Sequence, residues 1–233
     1  MRLLALDTST EACSVALQWD GALFSRYQEV ERGHAELILP MIEALLAEAN
    51  GTLVALDAIA FARGPGSFTG VRLAAGVTQG LAFAAGLPVI PVSTLRVVAQ
   101  RALMMRPAAL AVTVCNDARM GEIYWAHFLR GESGNPVADS PERVSAPEAV
   151  QLSASSTPDR KGVRIAAGRG LRAAPQLVAQ LQLSADDTLI DLLPDAASLL
   201  ELATLELEAG RVSGAADAVP VYVRDQVAKL QSA

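Results

Sequence analysis

The stretch from Ala62 to Gly80, ARGPGSFTGVRLAAGVTQG, constrains the fold of this chain more than any other segment. Strand-like residues, 55–61, precede it, and a long apolar run follows. Two explanations of its glycines are open from the sequence. They either free backbone N–H groups to hold a phosphate at a helix N-terminus, or let two pieces of protein approach closely.

The spacing within this stretch argues against the known phosphate loops. Its glycines follow the pattern GxGxxxG, whereas the dinucleotide fingerprint is GxGxxG. A P-loop needs Lys and then Ser or Thr after its last glycine, and Val71 and Arg72 stand there instead. The candidate nucleotide or phosphate residues are nevertheless Gly64, Gly66 and Ser67 in the turn, with Asp7, Thr8 and Ser9 near the N-terminus. Ser67 can also serve as an ordinary helix N-cap.

The predicted helix after the turn, residues 67–85, carries two rows of small side chains at four-residue steps. One row is Gly70, Ala74, Thr78 and Ala82, and the other is Gly76, Gly80 and Ala84. Glycine inside a helix costs about 1 kcal/mol relative to alanine, so the rows need a packing reason. One row can pack on the chain's own sheet, and the second then favours an external partner.

Composition excludes several classes of function. The chain has 233 residues, enough for one large or two small domains, and 52% of them are apolar. Its net charge of −6 lacks the basic footprint of a nucleic-acid-binding protein. No apolar run is long enough to span a membrane, and an Asp interrupts the N-terminal apolar segment too early for a signal peptide. Cys13 and Cys115 lie in strand-like runs and are expected to be buried free thiols, which fits a cytoplasmic protein.

The predicted elements repeat an order of three strands followed by alternating helices and strands. In the first half we expect strands at 2–7, 13–19, 22–29, 55–62 and 88–92, and helices at 34–49, 67–85 and 94–104. In the second half we expect strands at 109–115, 122–129, 135–144 and 163–167, and helices at 146–152, 171–181 and 194–209. We therefore predict an α/β protein with a first domain at 1–106 and a smaller second domain at 107–233.

Two polar clusters admit both a chemical and a structural explanation. The corner Asp7-Thr8-Ser9-Thr10 can hold Mg²⁺ and phosphate, or form an ordinary turn. The segment 116–119 (NDAR), with Glu122 and Tyr124, is either an acid/base site or a solvated hairpin. Neither His34 nor His127 has a second ligand at metal spacing, so no metal site is predicted.

Five segments together resemble the TsaB (YeaZ) family: LALDTST, GPGSFTGVR, PVSTL, NDARMGEIYWAHF and PVYVR. The resemblance implies the two-lobed fold of actin, sugar kinases and heat-shock chaperones (the ASKHA, ribonuclease H-like fold), with a reduced second lobe. It also implies a role in forming N6-threonylcarbamoyladenosine beside the anticodon of tRNA. In that family the partner is a paralogue, TsaD, which carries the catalytic metal, and TsaE, an ATPase, is a further partner.

The resemblance places the contact with the TsaD-like paralogue on the two helices 34–49 and 67–85. A homodimer through the same surface is expected when the paralogue is absent, and tRNA is contacted only through the complex. The residues expected at this surface are His34, Leu37, Ile38, Met41, Gly70, Arg72, Ala74, Ala75, Gly76, Thr78 and Gly80. No cofactor of its own is expected, and ATP or ADP at the interface is left open.

One departure bears on catalysis. TsaD-like relatives carry metal-binding histidines in an HMEGH segment, and the matching place here reads Thr94-Leu95-Arg96-Val97-Val98. We therefore expect an accessory subunit without catalysis of its own. One alternative is an ATP-dependent phosphotransferase or hydrolase that uses Asp7, Thr8, Ser9 and the turn 64–70. Another is direct tRNA binding. The role of PVYVR, residues 220–224, stays open.

Overall fold

The computed structural model describes residues 1–151 and 163–224. The first half contains β1 (Arg2–Asp7), β2 (Ala12–Trp19), β3 (Ala22–Glu29), α1 (His34–Glu48), β4 (Ala58–Ala62), α2 (Phe68–Ala85), β5 (Val89–Val92) and α3 (Thr94–Met105). The second half contains β6 (Ala109–Asp117), β7 (Ile123–Arg130), β8 (Pro136–Ala138), β9 (Arg143–Ser145), β10 (Val163–Ala167), α4 (Gly170–Ala173), α5 (Gln176–Gln180), β11 (Thr188–Leu189) and α6 (Ala196–Glu208).

The strands form two sheets with related plans. The first sheet has the order β3-β2-β1-β4-β5, in which β1, β2 and β3 are antiparallel neighbours and β1, β4 and β5 run parallel. The second has the order β11-β10-β6-β7-β8, with β9 also paired to β7 and with β6, β10 and β11 parallel. The predicted α/β fold is therefore confirmed.

Helices cover both faces of the first sheet. Helices α1 and α2 pack on one face around Leu6, Ile59 and Phe61. Helix α6 returns from the second half of the chain and packs on the other face, against β1 and β2 above all. We call the first sheet with α1, α2 and α6 the first lobe, and the second sheet with α4 and α5 the second lobe. Helix α6 belongs by sequence to the predicted second domain but packs on the first lobe. The domain division into 1–106 and 107–233 stays a prediction.

The second half departs from the predicted elements where prolines and turns interrupt the chain. The strand expected at 135–144 is two short strands, β8 and β9, separated by a bend at 139–140 that Pro141 follows. The helix expected at 171–181 is divided into α4 and α5 at Pro175, which has no N–H to continue the first helix. The helix expected at 146–152 is reduced, among its described residues, to the single turn Pro147–Ala149.

Helix α6 begins two residues later than expected. Pro194 lies outside the helix, and the carboxylate of Asp195 caps it by accepting the N–H of Ser198 at 2.7 Å. Across residues 1–151 and 163–224, no helix is both long enough and apolar enough to cross a bilayer.

Candidate functional site

The glycines of the turn before α2 permit close approach to another segment of the same chain. A Cβ atom at Gly66 would lie 2.3 Å from the carbonyl oxygen of Ser9. At Gly70 it would lie 1.9 Å from the carbonyl oxygen of Thr8. No side chain fits at these distances, so both positions require glycine for the turn to lie on the β1–β2 corner.

Hydrogen bonds fasten the turn to that corner. The N–H of Ser67 donates to the Ser9 carbonyl at 2.7 Å, and Thr8 Oγ1 donates to the Gly70 carbonyl at 2.7 Å. The Ser67 hydroxyl caps α2 by accepting the N–H of Gly70 at 3.1 Å. The structure thus brings the predicted phosphate residues together, and it directs the N–H groups of Ser67 and Gly70 to acceptors within the chain.

Asp7 lies beneath this corner and is fully buried. Its Oδ1 accepts hydrogen bonds from the N–H and the hydroxyl of Ser9 at 2.7 and 2.6 Å. Its Oδ2 is buried and has no partner among the described residues. Burial raises the pKa of Asp7 to about 6, although the two hydrogen bonds from Ser9 oppose the shift. The ionised form of Asp7 is therefore unfavourable at this buried corner.

The positions that match the family's metal-binding histidines belong to the packed interior. Thr94 and Val98 are both fully buried. The hydroxyl of Thr94 donates to Ser9 Oγ at 3.1 Å, and its N–H donates to the carbonyl of Gly64 at 3.0 Å. In residues 1–151 and 163–224, no three His, Cys, Asp or Glu side chains are grouped so that they could hold a metal ion.

A cleft of about 880 Å³ lies between the two lobes. The β1–β2 corner and the first turns of α1 and α2 line it on one side, and the β6–β7 turn lines it on the other. Residues 221–224 also line it. Ion pairs cross it: Arg169 lies 2.5 Å from Glu29, and Arg119 lies 2.6 Å from Glu11. Asn116 lines the cleft, is 6% exposed and has no side-chain partner among the described residues.

The polar segment after β6 forms a hairpin. Asp117 accepts the N–H of Arg119 at 2.7 Å within the turn, and the N–H of Ala118 donates to the carbonyl of Glu122 at 3.0 Å. Glu122 pairs with Arg224 from the end of the described chain. The carboxylates of Asp117 and Glu122 therefore make turn and ion-pair contacts, which fits the hairpin explanation.

Five residues named for the partner surface lie inside this chain. Ala74 and Thr78 are fully buried because their row on α2 faces the chain's own sheet. The others are Ile38, Gly70 and Ala75. This part of the prediction is corrected: these five residues pack within the first lobe. His34, Leu37 and Met41 are half-buried, and Arg72, Gly76 and Gly80 are exposed.

The second row on α2 faces outward. A Cβ atom at Gly76 or Gly80 would meet nothing within 4 Å, and Ala84 is exposed. Beside this row Phe83 is 82% exposed. On α1, Leu39 is 45% exposed. We call Gly76, Gly80 and Ala84 with Phe83 the outer face of α2. Sequence reasoning missed Phe83 and Leu39 because large apolar residues at helical spacing are normally assigned to a core.

Comparison with known proteins gives consistent results. A family model described as TsaD, tRNA N6-adenosine threonylcarbamoyltransferase, matches residues 28–230. The tRNA threonylcarbamoyladenosine biosynthesis protein TsaB of Escherichia coli K12 is 41% identical over 98% of this chain and 96% of its own length. The TsaB protein of Haemophilus influenzae is 38% identical over 97% of this chain and 95% of its own. YeaZ from Pseudomonas aeruginosa superposes with a TM-score of 0.85 at 42% identity, covering 95% of this chain and 99% of that one.

Proposed function

The chain belongs to the TsaB (YeaZ) family, and on that premise we propose that it is a non-catalytic partner subunit of a TsaD-type threonylcarbamoyl transferase. Its relatives are named for the biosynthesis of threonylcarbamoyladenosine on tRNA. In the proposed role, the chain acts in the cytoplasm and binds the catalytic paralogue, which modifies the adenosine next to the anticodon. The tRNA is held by the complex, consistent with the chain's net charge of −6.

The observation that carries the proposal is the outer face of α2. Two glycines in a helix interior cost about 1 kcal/mol each relative to alanine, and nothing within 4 Å would obstruct a side chain there. Packing inside this chain therefore gives no reason for Gly76 and Gly80. An external backbone that approaches α2 closely supplies one, because small residues let two helices come together.

Exposed apolar side chains on α2 and α1 support an interface on this side of the first sheet. Phe83 is 82% exposed, and burial of one aromatic side chain removes roughly 150–250 Å² from water. Leu39, 45% exposed, lies on α1, which packs on the same face of the first sheet as α2. At about 25 cal/mol per Å², burial of such groups drives association, against the cost of fixing two molecules together.

The match of a TsaD model to residues 28–230 supports a partner of related fold. A paralogue with the same first lobe would present its own α1 and α2 equivalents, so two such helix pairs can pack face to face. We propose the same surface for a homodimer when the paralogue is absent. A TsaE-type ATPase would then join the complex as a further partner, and ATP or ADP would bind only at the interfaces.

The test uses leucine substitutions on the outer face of α2. Gly76→Leu and Gly80→Leu keep helical geometry and fill open space, so the lone chain should fold normally. We expect each to abolish co-elution with the TsaD-type paralogue in size-exclusion chromatography. Glu208→Leu, an exposed substitution on α6 at the other face of the sheet, is the matched control and should co-elute. Normal co-elution of both glycine variants would refute the proposal.

Ala74→Arg, at a residue that the sequence predicted for the partner surface, is unsuitable as a test. Ala74 is fully buried in the core of the first lobe. An arginine there would place a charge among apolar side chains and unfold the chain, so loss of binding would not report on the partner surface.

The rival function is an ATP-dependent phosphotransferase or hydrolase that uses Asp7 and the turn before α2. The engagement of the Ser67 and Gly70 N–H groups inside the chain counts against it. Isothermal titration of the isolated protein with Mg²⁺·ATP separates the two functions. We expect no heat of binding at micromolar protein, whereas binding with turnover that Asp7→Asn removes would favour the rival.

A further inference from the structure

The segment PVYVR, residues 220–224, runs along the cleft and touches both lobes. Its first anchor is backbone: the N–H of Val221 donates to the carbonyl of Arg63 at 2.8 Å, where β4 ends. The carbonyl of Val221 in turn lies against Gly64, where an added Cβ would be 3.1 Å from it. Gly64 has φ +96°, so this position favours glycine on conformational grounds as well.

The second anchor is the side chain of Tyr222 on helix α2. Its hydroxyl accepts the Arg72 Nε–H at 2.7 Å, and its ring centroid lies 6.3 Å from that of Phe68. The Arg72 guanidinium stacks on Phe68, with its central carbon 3.3 Å from the ring centroid. Two aromatic rings and one arginine thus hold the segment on the first two turns of α2.

The third anchor is Arg224 on the second lobe. Its guanidinium donates to the carbonyl of Ala118 at 3.2 Å and pairs with the Glu122 carboxylate, both in the β6–β7 turn. The Arg224 side chain is only 21% exposed, so this pair is shielded from solvent more than an ordinary surface pair. Only one residue separates Tyr222 on the first lobe from Arg224 on the second, which is a very short tether between two bodies.

We propose that residues 220–224 are a strap that sets the closure of the cleft and couples helix α2 to the β6–β7 turn. Other ion pairs, Arg169–Glu29 and Arg63–Glu142, also cross between the lobes. Release of the strap therefore loosens the lobes without separating them. The strap reaches α2 at Arg72, one turn before the exposed Gly76, so a change in lobe closure is transmitted to that helix.

Pulsed electron–electron double resonance measures the distance between two spin labels, one on each lobe, and so reports the closure of the cleft. Labels at Glu43→Cys on α1 and Glu132→Cys in the second lobe lie at exposed positions, and the native Cys13 and Cys115 are fully buried and stay unlabelled. In the doubly labelled chain that also carries Tyr222→Ala and Arg224→Ala, we expect the distance distribution to shift or spread by more than about 2 Å. An unchanged distribution overturns the strap.

Two further variants complete the experiment. Arg211→Ala is the matched control, because this arginine pairs with Glu206 inside the first lobe, and its distribution should equal that of the parent. If the double variant does not fold, Arg224→Ala alone keeps the contacts with α2 and carries the same expectation. Hydrogen exchange gives an independent readout: the Val221 amide should exchange faster by roughly tenfold or more in the released strap. An exchange rate of the Val221 amide equal to that of the parent chain would contradict the proposal. Neither measurement depends on binding of a partner.

Discussion

Replacement of Gly70 by alanine tests the contact on which the first lobe depends. A Cβ atom there would lie 1.9 Å from the Thr8 carbonyl oxygen and 2.6 Å from the Ser67 hydroxyl. The turn and the β1–β2 corner would have to separate by more than 1 Å to reach ordinary van der Waals contact at 3.4 Å or beyond. Gly76→Ala in the same helix is the matched control, because open space surrounds it.

The two substitutions should change stability in opposite directions. Alanine in place of glycine stabilises a helix interior by about 1 kcal/mol, which is the whole expectation at Gly76. At Gly70 the forced separation weakens two hydrogen bonds, Thr8 to Gly70 and Ser67 to Ser9, at about 1 kcal/mol each. Overpacking adds roughly 1–3 kcal/mol. Because alanine also gains about 1 kcal/mol of helix propensity at this position, we expect Gly70→Ala to lower the free energy of unfolding by about 2–4 kcal/mol in total.

Thermal unfolding followed by circular dichroism measures both effects. In a protein of this size, 1 kcal/mol shifts Tm by roughly 2–4 °C. Gly76→Ala should raise Tm by that amount, and Gly70→Ala should lower it by roughly 5–15 °C. If Gly70→Ala were as stabilising as Gly76→Ala, the close contact between the turn and the β1–β2 corner would be wrong.

Three further expectations concern buried groups. Burial raises the pKa of Asp7 to about 6, above the unfolded value of about 3.9, so its ionisation destabilises the fold by about 3 kcal/mol above pH 6. The free energy of unfolding, measured with urea, should therefore rise as the pH is lowered from 6 to 4. Asp7→Asn should flatten this part of the pH dependence. Burial also raises the pKa of Cys13 to about 11 and of Cys115 to about 12, so neither thiol should react with a disulfide reagent at pH 8 until denaturant is added. Arg130 donates to the carbonyls of Leu103 and Arg106 at the end of α3 and of Ala109 at the start of β6. Arg130→Met should therefore lower the free energy of unfolding by roughly 2–3 kcal/mol in the same unfolding assay, and a loss below about 0.5 kcal/mol would contradict that role.

Local signals were sufficient to predict the first half of the fold. Asp20-Gly21 marks the β2–β3 hairpin, and the helical spacing of Ile38, Ile42 and Leu45 identifies α1. Pro40 lies inside that helix at an exposed position, where water can satisfy the carbonyl that its missing N–H leaves free. The pattern of apolar residues outweighed the proline there, whereas at Pro175 the helix did break.

The candidate surface was only partly predictable. The two rows on α2 have the same spacing and both consist of small residues, so sequence alone does not say which one faces the sheet. The decision depends on tertiary packing: Gly70 meets the β1–β2 corner more than 60 residues away, while Gly76 meets nothing. Likewise, the contacts of Tyr222 with Arg72 join positions 150 residues apart, which no local pattern encodes.

The return of α6 to the first sheet constrains the order in which the chain can mature during translation. One face of the sheet, including Leu3, Ala5 and Ile90, stays uncovered until residues 196–208 leave the ribosome. The amino-terminal half therefore cannot complete its own folding while the rest is still being made, and a nascent chain exposes an apolar surface over most of its synthesis. If residues 1–106 are expressed alone, that face of the sheet stays without α6 and its apolar side chains stay exposed.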